Sequence, residues 1–192
     1  THQSDVVTYF PENNPLIQDS SYIFNNIGGF QKVNVTFHAP EGSEKYFLQP
    51  EKLKPISQFE KEVLDHKYIS SSISFPLFVR ELNNMFNGEE KIPEKRGLML
   101  MTSRYINLIR SKGGNTNLVS LVSNEEFSRI TLTFYMYNRE TNTFISRLEI
   151  RELINIIKDR LVHIEKTGVE AEIWSYDLRY MYISELLNKE QR

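Results

Sequence analysis

The stretch RITLTFYMYNRETNTFISRLEIRELINIIKDRLVHIEKTGVEAEI, Arg129 to Ile173, decides the fold class. Ile130, Leu132, Phe134 and Met136 alternate with Thr131, Thr133 and Tyr135, the period of two that marks a half-buried strand. Asn138 to Asn142 reads as a polar turn. Ser146 followed by Glu149 is a capping box, in which each side chain serves an orphan N–H at the helix start. Leu153, Ile154, Ile157, Leu161 and Ile164 then recur at helical spacing as far as Thr167-Gly168. Val169, Ala171 and Ile173 give a second strand, and Asp177 is expected to cap a last helix carrying Met181, Tyr182, Leu186 and Leu187. Strand, helix and strand in this order form a βαβ unit, whose crossover is expected to be right-handed.

The same order appears upstream. Val33, Val35 and Phe37 alternate with Asn34, Thr36 and His38, and Pro40-Glu41-Gly42-Ser43 reads as a turn. A helix is predicted over 50–67, with Leu53, Ile56, Phe59, Val63 and Leu64 on one stripe and Pro55 tolerated near its start. Ile69, Ile73 and Phe75, with serines between them, predict a short strand that Pro76 ends. Phe78, Leu82, Met85 and Phe86 predict a helix running to Asn87-Gly88. Two such runs, 31–87 and 129–190, place two βαβ units in one sheet. The fold class is α+β: a ferredoxin-like split βαβ sandwich with helices on one face and additional inserted helices.

The remaining segments frame these two halves. Residues 1–30 form a lead-in with a short helix, capped by Asn14-Pro15, lined by Leu16, Ile17, Ile23 and Ile27, and closed at Gly28. Residues 31–88 hold the first half. Residues 89–127 are a helical insertion, in which Leu98, Met101, Tyr105, Leu108 and Ile109 mark a helix stopping at Gly113-Gly114; the piece Asn117 to Val122 is ambiguous. Residues 128–192 hold the second half and its final helix.

Composition excludes several functions. Of 192 residues 40% are apolar and 25% charged, with a net charge of −2 and no concentrated basic face, which sets nucleic acid aside as a partner. There is no cysteine, so disulfides, thiolate metal sites and cysteine nucleophiles are ruled out. The longest aliphatic run is Leu98-Met99-Leu100-Met101, far short of the ~20 residues of a membrane helix, and no signal peptide is visible. A start at Thr1 suggests excision from a longer chain.

Catalytic and ligand patterns are each better explained by structure. His38 ends a strand, while His66 and His163 fall late in two helices, where a cation complements the dipole; no histidine pair has metal-ligand spacing. Ser111 to Gly114 holds the letters of a phosphate loop in the wrong order. Asn34-Val35-Thr36 matches a glycosylation triplet but lies inside a strand. The acid pairs Glu60/Glu62 and Glu170/Glu172 read as solvated faces, and Ser70-Ser71-Ser72 lacks a nucleophile elbow. Phe75, Phe78, Phe86, Tyr105 and Met101 are candidates for a lipophilic groove, with core packing the default. No catalytic, cofactor, metal or individual substrate-binding residue is assigned.

Taken in order, the segments carry a family resemblance. YFPENNPL at 9–16, NNIGGFQKVNVTF at 25–37 and LQPEKLKPISQFEKEVL at 48–64 resemble the extracytoplasmic loop domains of the resistance–nodulation–division (RND) superfamily, nearest its MMPL-like branch. There a transmembrane helix emerges into an F-P-x-x-x-P segment, a short helix and a double glycine. SSSISFPLFVRELNNMFNG at 70–88, KIPEKRGLMLMTSRYINL at 91–108, LVSLVSNEEFSRITLTFYM at 118–136 and TGVEAEIWSYDLRYMYISELLNKEQR at 167–192 are similar to later segments of that domain. The helix opening at Ile92-Pro93 leans toward the second of the family's two loops. VEAEIWSYDL departs from it by lacking a glycine turn.

The resemblance implies a periplasmic porter domain of a proton-driven inner-membrane exporter of lipids or other amphiphiles. Its partners would be the transmembrane part and other loop of the same chain, and the hydrophobic substrate, with oligomerisation left open. It implies no enzyme activity and no cofactor, since proton-coupling carboxylates lie in transmembrane helices. The alternative is a free-standing ferredoxin-like sensor or small-ligand-binding module.

Overall fold

The computed structural model describes Pro15 and residues 31–112, 118–141, 144–180 and 182–183. The expected lead-in helix, the Gly113-Gly114 stop, and Met181, Leu186 and Leu187 lie outside the described residues. Four strands form one antiparallel sheet in the order β2-β3-β1-β4: β1 is Lys32–His38, β2 Ile69–Ser74, β3 Arg129–Met136 and β4 Glu170–Trp174. Helix α1, Pro50–Leu64, connects β1 to β2. Three helices, α2 (Phe75–Asn87), α3 (Arg96–Lys112) and the short α4 (Leu118–Val122), lie between β2 and β3; α5, Arg147–Glu165, connects β3 to β4.

Each outer strand is separated from its βαβ mate by a strand of the other half. Both β1 and β2 pair antiparallel to β3, so they run the same way with β3 between them. Likewise β3 and β4 both pair antiparallel to β1 and enclose it. Parallel strands require a long connection, which α1 and α5 supply.

One sheet face is apolar. Val33, Val35 and Phe37 of β1, and Ile130, Leu132, Phe134 and Met136 of β3, are fully buried, as their alternation predicts. Phe59 of α1 docks on them edge-to-face, with ring centroids 5.8 Å from Phe37 and 6.2 Å from Phe134. Each buried ring contributes about 1.5–3 kcal/mol through burial, and edge contacts add to it. Leu153, Ile154, Ile157, Leu161 and Ile164 of α5 complete the same core. The capping box is formed: Glu149 N donates to Ser146 Oγ at 3.4 Å, and Ser146 N to Glu149 Oε2 at 2.6 Å.

The other face is polar. Thr36 lies opposite Thr131 and Glu172, with the two threonine hydroxyls 3.1 Å apart, and Thr133 donates to Asn34 at 2.8 Å.

Several elements differ from expectation. β2 ends at Ser74, and Phe75 begins α2, with Ser74 Oγ capping Leu77 N–H at 2.9 Å. Ile69 pairs with Met136 but Ser71 with Tyr135, so Ser70 is the extra residue of a bulge. That shift puts Ile69 in the core and leaves Ile73 on the open face, 37% exposed. Gly88 closes α2 in the left-handed region, φ 71°, where a side chain would be strained. Residues 118–122 are helical. The last helical segment begins after Ser175, whose hydroxyl accepts from Asp177 N–H at 3.2 Å, so Ser175 rather than Asp177 caps it.

Candidate functional site

The least expected arrangement is a charged network inside the core. Glu60, on α1, is fully buried, and Arg80, on α2, is 4% exposed. Arg80 Nη1 donates to Glu60 Oε2 at 2.8 Å and to Ser57 Oγ at 2.7 Å. Ser72 Oγ donates to Glu60 Oε1 at 2.8 Å, and Ser74 Oγ donates to the same oxygen. Glu60 therefore departs from its expected solvated role, while its neighbour Glu62 is exposed. The signal was present: Glu60 falls four residues after Ile56 and three before Val63, on the α1 apolar stripe. Ser72 and Ser74 share the core face of β2 and offer it the matching hydroxyls.

Arg80 also lines a cleft of about 490 Å³ between α1 and the 88–95 connection. Lys54, Lys61 and Lys91, with Glu51 and Glu94, stand around it, and Pro55 and Ile92 supply apolar wall. Lys54 lies 3.6 Å from Glu94. Arg80 Nε is buried and has no hydrogen-bond partner among the described residues.

A second, smaller cleft of about 240 Å³ opens on the polar sheet face between Thr36, His38, Arg129, Thr131, Glu172 and the end of α4. His38 Nε2 approaches Glu172 Oε2 to 3.5 Å without hydrogen-bond geometry. Ser123, also at this cleft, accepts from Arg110 at 2.9 Å through its hydroxyl. A base, a carboxylate and a hydroxyl share the cleft, but no hydrogen bond joins His38 to Ser123 among the described residues.

The five candidate groove residues divide. Phe75 is core and Phe78 half-buried. Phe86, Tyr105 and Met101 stay at the surface, where Phe86 and Tyr105 stack edge-to-face with centroids 5.5 Å apart. Met85, 70% exposed, and Leu108 are surface residues of the same two helices. The buried face of α3 is instead Met99, Thr102, Ser103 and Ile106, so its predicted stripe at 101, 105 and 108 points outward.

The remaining sequence candidates fall into structural places. His66 lies beyond the end of α1, not within it. Its Nδ1 accepts from Tyr68 N–H at 3.3 Å, and burial holds its pKa below the ordinary value. The dipole there is met by Arg139, whose Nη2 donates to the Leu64 and His66 carbonyls at 3.0 and 2.8 Å. His163 occupies the last turn of α5. Glu170 and Glu172 are exposed on β4, and Asn34 is tied within the sheet. Among the described residues no group of three or more His, Asp or Glu side chains could hold a metal ion, and no helix is long and apolar enough to cross a membrane. No family model, curated protein or solved structure matches the chain.

Proposed function

We propose that this chain is a ferredoxin-like split βαβ sandwich that works as a porter-type extracytoplasmic domain of a proton-driven, MMPL-like exporter of the RND superfamily. The observation that carries the reading is the strand order β2-β3-β1-β4, in which each βαβ crossover brackets a central strand of the other half. The resemblance running along the chain anticipates two such halves in one sheet. A domain of this kind passes movement from flanking transmembrane helices to a substrate path, and a sheet interleaved from both halves couples the two crossovers mechanically.

The outward apolar side chains of α2 and α3 support the substrate class. Met85, Phe86, Met101, Tyr105 and Leu108 present lipophilic side chains at the surface. Covering such surface contributes about 25 cal/mol per Å² buried, which suits an amphiphile tail or the adjoining wall of the same transporter.

The test is the coding sequence on either side. The exporter reading requires a hydrophobic span of ~20 residues directly before Thr1 and another directly after Arg192. Polar sequence on both sides would overturn it in favour of a free-standing small-ligand module.

A further inference from the structure

We infer that the cleft between α1 and the 88–95 connection is a binding site for a small oxyanion, a carboxylate or phosphate carried on a short apolar body. The anion would sit on the Nε–Nη2 edge of Arg80. A guanidinium presents five N–H groups in a planar fork. Among the described residues, the hydrogen bonds of Arg80 run through Nη1, to Glu60 and Ser57. The opposite edge, where Nε–H and one Nη2–H lie side by side, is the pair that matches two oxygens of a carboxylate or phosphate.

Three observations converge on Arg80 and the cleft beside it. Arg80 is 4% exposed, yet its Nε has no acceptor among the described residues. A buried donor of this kind is rare in a folded protein, because the lost hydration is left without compensation. The same residue forms part of the wall of a cleft of about 490 Å³, within the usual size range of small-molecule sites. Lys54, Lys61 and Lys91 stand around it with Glu51 and Glu94; Lys54 lies 3.6 Å from Glu94 and Lys91 3.3 Å from Glu89, so among the described residues Lys61 is the lysine of the three without an ion pair. Glu60 balances the charge of Arg80 from beneath, so Lys61 is the charge left to attract an anion. Pro55 and Ile92 line the cleft beside the polar groups and accept a short hydrocarbon body. Glu60 and Ser57 hold Arg80 on its other side, with Glu60 itself held by Ser72 and Ser74, and fix its orientation before a ligand arrives.

This inference is independent of the exporter reading, which stands or falls on flanking sequence and location. It is tested on the full 192-residue chain by nitrogen–proton spectra that include the arginine Nε–H region. The probes are inorganic phosphate, hexanoate and, as the charge control, hexylammonium, each at constant ionic strength. The expected result is a saturable displacement of the Arg80 Nε–H resonance by hexanoate, by phosphate or by both, and none by hexylammonium. The stronger of the two anions identifies the head group.

The double variant Lys61→Glu/Lys91→Glu is expected to weaken binding by about tenfold, since both side chains line the cleft and their reversal puts negative charge beside the head group. Lys158→Glu, at an exposed site on α5 away from the cleft, is expected to leave binding unchanged. Arg80→Lys keeps a cation for Glu60 but removes the fork, and is expected to abolish saturation; if it does not fold, the lysine pair decides. An Nε–H resonance unmoved by both anions up to their solubility limits would overturn the inference. So would binding that the double variant leaves intact, and Arg80 would then be a structural partner of Glu60 alone.

Discussion

Arg80 Nη1 lies 2.8 Å from Glu60 Oε2, and this buried ion pair joins α1 to α2 across the edge of the sheet that carries β2. Two serines of β2 and one of α1 complete its coordination. Three consecutive elements of the first half are thus held by one polar cluster within an otherwise apolar core.

Breaking the pair from one side is expected to cost more than replacing it whole. Glu60→Met leaves the Arg80 charge buried, and Arg80→Met leaves that of Glu60, so each should destabilise by about 3–5 kcal/mol, whereas Glu60→Met/Arg80→Met should recover a large part of that loss. Urea unfolding of the two single variants and the double variant measures the coupling. A double variant as unstable as the sum of the singles would mean that the two side chains act independently.

Aromatic side chains divide sharply between core and surface. Phe59, which meets Phe37 and Phe134, is expected to cost about 3–5 kcal/mol on truncation to alanine. Phe86→Ala, at a surface ring that meets Tyr105, should stay within about 1 kcal/mol. Thermal or urea unfolding separates the two, and a large loss at Phe86 would show that α2 and α3 depend on that outward contact for stability.

Acid should destabilise the fold in two windows. Burial, reinforced by Arg160, Lys67 and Arg139 and opposed by Glu152, holds His66 below its ordinary 6.5. The unfolded chain takes up that proton first, so stability is lost as pH falls from 6.5 toward the folded value. For Glu149, burial pushes the pKa up, but hydrogen bonds from Ser146 and Asn138 outweigh it and hold the carboxyl below 4.5. Its contribution is complete above 4.5 and is lost below it. Unfolding free energy measured against pH should show both steps. His66→Gln should flatten the upper step. Glu149→Gln should flatten the lower one and cost about 1 kcal/mol at neutral pH through the weakened cap.

Arg139 is expected to matter beyond its exposed position. Its guanidinium serves two carbonyls at the α1 end, so Arg139→Ala should cost about 0.5–1.5 kcal/mol, and Arg139→Lys should recover only part of it. Urea midpoints of the two variants check this.

How far the sequence reveals the molecule depends on how each element signals itself. β3 and α5 are legible because alternation, the Ser146–Glu149 box and the 153–164 stripe all agree. β2 is legible as a strand but not in its facing, because one bulge at Ser70 moves Ile73 to the opposite face from Ile69, and no residue type announces a bulge. In α3 the run Leu98 to Met101 is apolar all round, so periodicity locates the helix without choosing its buried side. The Glu60–Arg80 pair stayed hidden because a single charge on an apolar stripe reads as surface until its partner, twenty residues on, is seen beside it. The clefts are formed by side chains distant in sequence, with no motif spacing to betray them.

The central claim is that this domain belongs to a membrane protein and faces away from the cytoplasm. The most direct measurement is made on the complete gene product, carrying an epitope in the exposed Glu41-Gly42 turn, in fractionated cells and protease-treated spheroplasts. The account predicts that the epitope is found in the inner-membrane fraction and is removed by protease added outside intact spheroplasts. Recovery in the soluble fraction, or protection until the membrane is broken, would contradict it.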